Sequence, residues 1–159
     1  MIDPQQLLEF VIRPVLHDLG LWSVPAEQLV LGTACKESEC GRWLKQLGGG
    51  PALGIYQMEP ETHDDIWNNY LDYHDNLANS IKQWANETSK RDFVEELAWN
   101  LGYATALCRV HYLRVPSPIP DYLLGQAQYW KQHYNTTRGK GTVNEYIASW
   151  EKFVPHDLW

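Results

Sequence analysis

Glu37 is the residue of this sequence best suited to proton transfer. It follows a largely apolar run over residues 29–35 and precedes Ser38. A carboxylate against the wall of an apolar helix has its charged form disfavoured, which raises its pKa toward the range that a general acid needs. The alternative is a solvated surface glutamate, the more common fate of this residue type. A carboxylate at a helix C-terminus is electrostatically unfavourable, however, and this cost favours a functional reason for Glu37.

Other catalytic chemistries have little support in the sequence. The six histidines form no HExxH motif and no compact cluster with the cysteines, so we expect no metal centre and no other cofactor. A cysteine nucleophile, Cys35 or Cys40 with His63, has no supporting local pattern, and inert buried thiols account better for these cysteines. The glycines at 48–50 are not followed by the Lys and Ser/Thr of a phosphate-binding loop.

The net charge and the aromatic content of the chain indicate which kinds of molecule it binds. The formal net charge of −7 argues against a nucleic-acid partner, because a protein that binds the phosphate backbone needs a concentrated basic patch. The chain has eight Trp and nine Tyr. We expect core packing to account for most of them, but such rings also form flat platforms for sugars.

The cysteines and the N-terminal residues indicate the cellular compartment in which the protein forms. Cys35, Cys40 and Cys108 cannot all pair with one another, and the short separation of the first two beside a helix end is awkward for a disulfide. We therefore predict free, buried thiols formed in a reducing compartment. The first residues lack a basic segment followed by an apolar run, so we predict no signal peptide. No apolar stretch approaches the roughly 18 residues of a membrane span, so we expect no membrane insertion.

The elements that must position these residues are helices. The pattern predicts an all-α protein of about seven helices, folded as one domain over residues 1–159, with at most a minor β-hairpin near residues 50–58. Asp3 and Pro4 form a helix start, Pro14 should kink that helix, and Gly20 should end it. Further helices are predicted over residues 23–38, 60–71, 76–87, 92–113, 121–134 and 142–153. The helix over 23–38 has little polar surface and should lie deep in the core, with Glu37 at its end.

Three short motifs occur in order along the chain: Glu37-Ser38-Glu39-Cys40-Gly41, then Gly54-Ile55-Tyr56-Gln57-Met58 with Pro60-Glu61-Thr62, then Tyr134-Asn135. Together they resemble the signatures of the soluble lytic transglycosylases of the lysozyme superfamily, over roughly residues 25–150. That family has Gly-Leu-Met-Gln where this chain has Gly-Ile-Tyr-Gln, so the Gly and the Gln are kept and the two middle residues differ. Asn100-Leu101 and Tyr112-Leu113 loosely match its long helix.

The resemblance implies a lysozyme-like fold and roles for individual residues. Glu37 would protonate the glycosidic oxygen and then act as a base. Ser38 would bond the carboxylate or the sugar, with a helix-end cap as the alternative. Three further substrate-binding roles follow. Gln57 would bind an N-acetyl group or a hydroxyl, Tyr134 would orient Glu37 through its hydroxyl with Asn135 beside it, and Tyr56 would line the cleft. Core packing or an ordinary loop position is the alternative for each.

A second carboxylate would change the reaction. Hydrolases of the retaining or inverting type use two, and Asp64 and Asp65 are the candidates, although acidic residues in a first helical turn are also simply stabilising there. With Glu37 alone, the substrate's N-acetyl group and its 6-hydroxyl would complete the reaction and give a 1,6-anhydro product. We therefore expect cleavage of the β-1,4 bond of peptidoglycan strands by a lytic transglycosylase.

The motifs look like the versions found among bacteriophage proteins. This resemblance implies an endolysin, or a virion-associated lysin with other virion proteins as possible partners. Such a protein is made in the host cytoplasm without a signal peptide and acts on the cell wall after release or virion delivery. The competing hypothesis is a non-catalytic glycan-binding or virion structural protein on the same fold.

Overall fold

The computed structural model describes residues 1–86, 93–136 and 139–158. The predicted all-α class is confirmed, because helices make up most of the described chain. Its β pairing is limited, within those residues, to two isolated antiparallel bridges, Lys45 with Leu53 and Leu53 with Met58. The bridge between Leu53 and Met58 lies where the minor hairpin was predicted, and Lys45 lies before that range. Within the described residues, no helix combines the length and the apolar character that crossing a membrane requires.

The first helical stretch contains Pro14 and a change of hydrogen-bonding pattern before it. It comprises α1 (Pro4–Leu7), a π-helical turn (Leu8–Ile12) and α2 (Arg13–Asp18). The side chain of Asp3 accepts a bond from the backbone N–H of Gln6 and caps the start, as predicted. Just before Pro14, the N–H of Arg13 bonds the carbonyl of Leu8, five residues back. A kink was expected at Pro14, and the structure shows a widened π turn directly before it.

Helix α3 (Val24–Ser38) is the buried helix that the sequence predicts. Ser23 caps its N-terminus by accepting from the N–H of Ala26, and Pro25 occupies its first turn. Leu29, Leu31 and Cys35 are fully buried, and α3 packs against several helices, α7 and α9 among them. It ends at Glu39, whose φ of 48° is left-handed. Glu37 thus lies in the last turn of a core helix.

The remaining helices follow the predicted order with altered ends: α4 (Pro60–Asn69), α5 (Asp75–Trp84), α6 (Phe93–Trp99), α7 (Leu101–Leu113), α8 (Leu123–Trp130) and α9 (Val143–Phe153). A π-helical turn (Lys131–Asn135) extends α8, and short 3-10 turns cover Leu71–Tyr73 and His156–Leu158. Glu87 and Asp92, where two predicted helices were to end and begin, lie outside the described residues.

The prediction of one helix over 92–113 is wrong. Asn100 adopts an extended backbone, and its side chain accepts a bond from the N–H of Tyr103, which starts α7 as a new helix. Its amide also donates to the carbonyl of Trp84 and to the carboxylate of Glu96. Asparagine competes with helical hydrogen bonding through such local contacts, and here it caps a helix instead of lying within one.

The segment between α3 and α4 carries the second motif. Ser38 and Gly41 are joined by a hydrogen bond from the Gly41 N–H, and the chain then returns to the helix end at Ile55, whose carbonyl accepts from the Ser38 hydroxyl. Gly54 has a φ of +76°, and a Cβ atom there would lie 1.7 Å from the carbonyl oxygen of Leu97. The motif glycine is therefore required both for its backbone conformation and for close packing against α6.

Gly54→Ala should destabilise the protein by more than about 2 kcal/mol, because strain at a left-handed position is joined by a backbone clash. Gly48→Ala is the matched control. Its φ is +83°, but nothing lies within 4 Å of the added Cβ, so a cost of about 1 kcal/mol is expected. Urea unfolding of both variants tests this. Equal losses of unfolding free energy would contradict the contact with Leu97.

Candidate active site

A cleft of about 610 Å³ opens beside the C-terminal end of α3. Lys36 and Glu37 of α3 form one side of it, and Trp43, Gln57 and Glu59 are among the residues that line it from the segment between α3 and α4. The segment after α8 closes it with residues 134–136 and 139–141. The volume is within the usual range for small-molecule sites.

Among the described residues, the carboxylate of Glu37 has one hydrogen-bond partner, the indole N–H of Trp130, which donates to Oε1 at 2.9 Å. Trp130 is fully buried at the end of α8. Burial raises the pKa of Glu37 to about 7, against the smaller opposing effects of the Trp130 hydrogen bond and the Lys36 charge. Glu37 therefore exchanges a proton near neutral pH, which is the property that a general acid–base residue needs.

Lys36 contributes a positive charge without forming a close ion pair with Glu37. Its ammonium lies 3.6 Å from a carboxylate oxygen of Glu145 and 5.6 Å from the centre of the Trp130 ring. Because Glu145 shares this charge, the attraction between Lys36 and Glu37 does not overcome the cost of burying the carboxylate.

Ser38 and Tyr56, which were expected to bind substrate, lie in the core and not at the wall of the cleft. Ser38 is fully buried, and its hydroxyl donates to the carbonyl of Ile55 at 2.6 Å. Tyr56 is 1% exposed, and its hydroxyl shares a 2.8 Å hydrogen bond with Thr105. Neither lines the cleft. Both side chains lie in the core with their hydroxyl groups hydrogen-bonded, and they fix the second motif against α3 and α7.

Tyr134 lies in the cleft but does not bond Glu37 as expected. Its hydroxyl donates to the backbone carbonyl of Tyr56 at 2.8 Å. Its ring stacks on Tyr112 at 5.3 Å between centroids and meets the edge of His111 at 5.0 Å. Tyr134 thus joins the third motif to the second, and Trp130 occupies the position of carboxylate donor that the sequence had assigned to Tyr134.

Gln57 and Asn135 both line the cleft, as expected for substrate-binding residues. Gln57 has a left-handed φ of 48°, and its side-chain amide donates to the carbonyl of Gly54 at 2.9 Å. The side-chain oxygen of Asn135 accepts from the ammonium of Lys131, which also bonds the carbonyls of Thr136 and Gly139. Lys131 therefore orders the loop that carries Asn135.

The structure does not bring Asp64 or Asp65 to the cleft. Asp64 is exposed and contacts His63 of its own helix, and Asp65 is exposed and pairs with Arg114. The second carboxylate that does line the cleft is Glu59, the residue just before α4.

Asp65 instead takes part in a series of side-chain contacts that runs through Arg114 and His111 to Tyr134 in the cleft. Arg114 bonds Asp65 through one terminal nitrogen and Nδ1 of His111 through the other, at 2.7 Å. Burial, followed by the Arg114 charge, lowers the pKa of His111 to about 4, so the imidazole is neutral and accepts from Arg114. The ring of His111 then supports Tyr134.

Sequence reasoning missed Trp43, Trp130 and His111 as residues of the site. Trp130 precedes Tyr134 by four positions, the spacing that places two side chains on one face of a helix, and this spacing was the available signal. Trp43 and His111 carry no such local signal. No group of three or more potential metal ligands occurs in the described parts of the chain. All three cysteines are free and buried, as predicted.

Comparison with known proteins adds no relative: no family model, no curated protein and no solved structure matches this chain.

Trp130→Phe should raise the pKa of Glu37 above its value of about 7, because the indole N–H favours the charged carboxylate and phenylalanine cannot donate. An NMR titration of the Glu37 carboxyl carbon measures this without any assumption about activity. Trp84→Phe is the matched control, since Trp84 donates to Asp18 instead. A lower Glu37 pKa in Trp130→Phe would contradict the assigned contact.

Glu37→Gln should remove a pH dependence of folding stability. Because the folded pKa of about 7 exceeds the ordinary 4.5, the folded state holds the proton more tightly, and stability is lost as pH rises between these values. The wild type should lose up to roughly 3 kcal/mol relative to Glu37→Gln from pH 4 to pH 8. Chemical denaturation at both pH values measures the difference. A constant difference across this range would show that Glu37 is not desolvated.

Proposed function

We propose that this protein cleaves the glycan strands of bacterial peptidoglycan at the β-1,4 bond between N-acetylmuramic acid and N-acetylglucosamine, with Glu37 as the catalytic residue. The observation that carries the proposal is the half-buried carboxylate of Glu37 at the cleft wall, with a pKa raised to about 7 by burial. The motif resemblance to the soluble lytic transglycosylases supplies the substrate class.

Glu37 would act twice in one turnover. The protonated carboxyl gives its proton to the bridging oxygen as the bond from that oxygen to C1 of the muramic acid breaks. The N-acetyl group of the same sugar stabilises the positive centre at C1. The Glu37 carboxylate then takes the proton of the C6 hydroxyl as that oxygen bonds to C1. The products are a free 4-hydroxyl and a 1,6-anhydro ring, and no water is consumed.

The other side chains of the cleft suit a saccharide. Trp43 and Tyr134 line the cleft, and aromatic rings of this kind pack well against sugar rings. The amides of Gln57 and Asn135 offer donors and acceptors for hydroxyl and N-acetyl groups. This combination of apolar platforms and a few polar groups is typical of small-ligand sites.

The motif resemblance favours the intramolecular route over hydrolysis, and the acidic side chains of the described residues leave Glu59 as the candidate for the second carboxylate of a hydrolase. A hydrolase needs a second carboxylate within roughly 5–10 Å of the first. Asp64 and Asp65 pair with other residues outside the cleft. Glu59 is exposed and lines the cleft, so it is the residue whose replacement separates the two routes. An attacking 6-hydroxyl of the substrate requires no second carboxylate and carries no bimolecular entropy cost.

The motif versions extend the proposal to a bacteriophage lysin, either an endolysin or a component of the virion. Release from the host cell or virion delivery would then bring the protein to the wall. A non-catalytic glycan-binding protein on the same fold is the competing proposal. It has no use for a carboxyl group that titrates near neutral pH, which is the reason for preferring an enzyme.

Glu37→Gln should lower the rate of lysis of purified cell walls by about 10²–10⁴-fold, because Gln keeps the shape of the side chain but transfers no proton. Glu61→Gln is the matched control. It makes the same change at an exposed glutamate outside the cleft and should leave the rate unaltered. Turbidity of a peptidoglycan suspension measures both. Lysis by Glu37→Gln at the wild-type rate, or no lysis by any form, would refute the catalytic assignment.

The released muropeptides should carry 1,6-anhydromuramoyl ends that resist borohydride reduction. Mass spectrometry separates them from hydrolysis products, which are heavier by one water. Glu59→Gln should still form anhydro ends. Reducible products from the wild type, with lysis lost in Glu59→Gln, would instead identify a two-carboxylate hydrolase and leave Glu37 in place.

A further inference from the structure

The sulfur atoms of Cys35 and Cys40 lie 2.9 Å apart, and both side chains are fully buried. Cys35 belongs to the last turns of α3, and Cys40 lies just beyond the end of that helix. A disulfide bond is about 2.05 Å long, so the two sulfurs need to approach by less than ~1 Å to bond. The expectation that their spacing is awkward for a disulfide does not hold in this fold.

The backbone explains how residues five positions apart come into contact. Glu39 and Cys40 have left-handed φ angles of 48° and 54°, which reverse the chain at the helix end. The N–H of Cys40 bonds the carbonyl of Ala34. Two consecutive left-handed residues that are not glycine are energetically unfavourable, and they bring the Cys40 side chain back onto α3.

We propose that Cys35 and Cys40 are a redox modification site, which closes to an intramolecular disulfide when the chain meets a small organic disulfide such as oxidised glutathione.

The reaction proceeds by two thiol–disulfide exchanges. The thiolate of one cysteine attacks the oxidant, forms a mixed disulfide and releases one reduced thiol. The second cysteine then attacks the protein sulfur of the mixed disulfide, forms the Cys35–Cys40 bond and releases the other reduced thiol. Two protons leave the protein thiols, and its two electrons reduce the oxidant to two thiols.

Burial determines when this reaction occurs. The pKa of the Cys35 thiol is raised, first by its hydrogen bond with Cys40 and then by burial, so the reactive thiolate is scarce in the closed fold. Oxidation therefore takes place while the turn after α3 is open, during folding or a local opening. A protein folded in a reducing compartment keeps its thiols, and one that refolds in an oxidising compartment forms the bond.

The disulfide would close a ring that contains Glu37. Lys36, Glu37, Ser38 and Glu39 lie between the two cysteines, and Ser38 ties this turn to Ile55. The bond would thus restrain the helix end that presents the carboxylate to the cleft. The inference concerns covalent chemistry and does not depend on the proposed function.

Cys108 supplies an internal control. It is fully buried on α7, and its sulfur contacts neither of the other two cysteines. The pair is therefore distinguished from the third thiol by proximity and not by burial.

Refolding of the reduced protein with oxidised glutathione should leave one alkylatable thiol of the three when iodoacetamide is added under denaturing conditions. The intact mass should fall by two hydrogen atoms, and peptide mapping should find Cys35 joined to Cys40. Cys108→Ala should lose the same mass. Three alkylatable thiols, a lasting glutathione adduct, or a bond to Cys108 would overturn the proposal.

The oxidised protein should melt roughly 4–8 °C above the reduced protein, as expected for a short closed loop in a chain of this size. Cys35→Ser and Cys40→Ser should show no difference between oxidising and reducing buffers. The comparison of the two wild-type forms needs no variant and remains decisive if a variant fails to fold. A lower melting temperature on oxidation would show that the turn cannot hold the bond and would overturn the proposal.

Discussion

Burial of the last turn of α3 is the constraint on which the site depends. The helix is enclosed by the core, and its C-terminal turn borders the cleft, where Glu37 is half-buried. A carboxylate at this position meets a poor dielectric environment and the negative end of the helix dipole. Its pKa of about 7 follows from this location. The indole of Trp130 keeps the ionised form accessible, so that neither protonation state is excluded.

The rest of the site is built around the same helix end. The hydroxyl of Ser38 donates to the backbone carbonyl of Ile55, and that of Tyr134 donates to the carbonyl of Tyr56. These hydrogen bonds fix the second motif from both sides. Gly54 lets this segment pack against the backbone of α6. The polar groups of the three motifs are thus used mainly to hold loops in place. Gln57 and Asn135 line the cleft and are available to a ligand.

The chain reversal after Ser38 connects the site of Glu37 with the pair Cys35 and Cys40. Left-handed residues after Ser38 direct the chain back, which places Cys40 on Cys35 and leaves Glu37 facing the cleft. One backbone reversal therefore determines both the exposure of the carboxylate and the contact of the sulfurs. The strained reversal is held by buried hydrogen bonds on both sides, from Cys40 to Ala34 and from Gly41 to Ser38.

The sequence predicted the helical class, the burial of α3 and Glu37 as the candidate catalytic residue, because apolar periodicity is a local pattern. It did not reveal the break at Asn100, because tertiary neighbours determine whether this side chain faces solvent or caps a helix. Which distant residues come into contact depends on the tertiary structure. Trp130 and Glu37 are 93 positions apart, and Tyr134 and Tyr56 are 78 apart. Contacts over such separations follow from how helices pack, and local patterns carry no information about that packing.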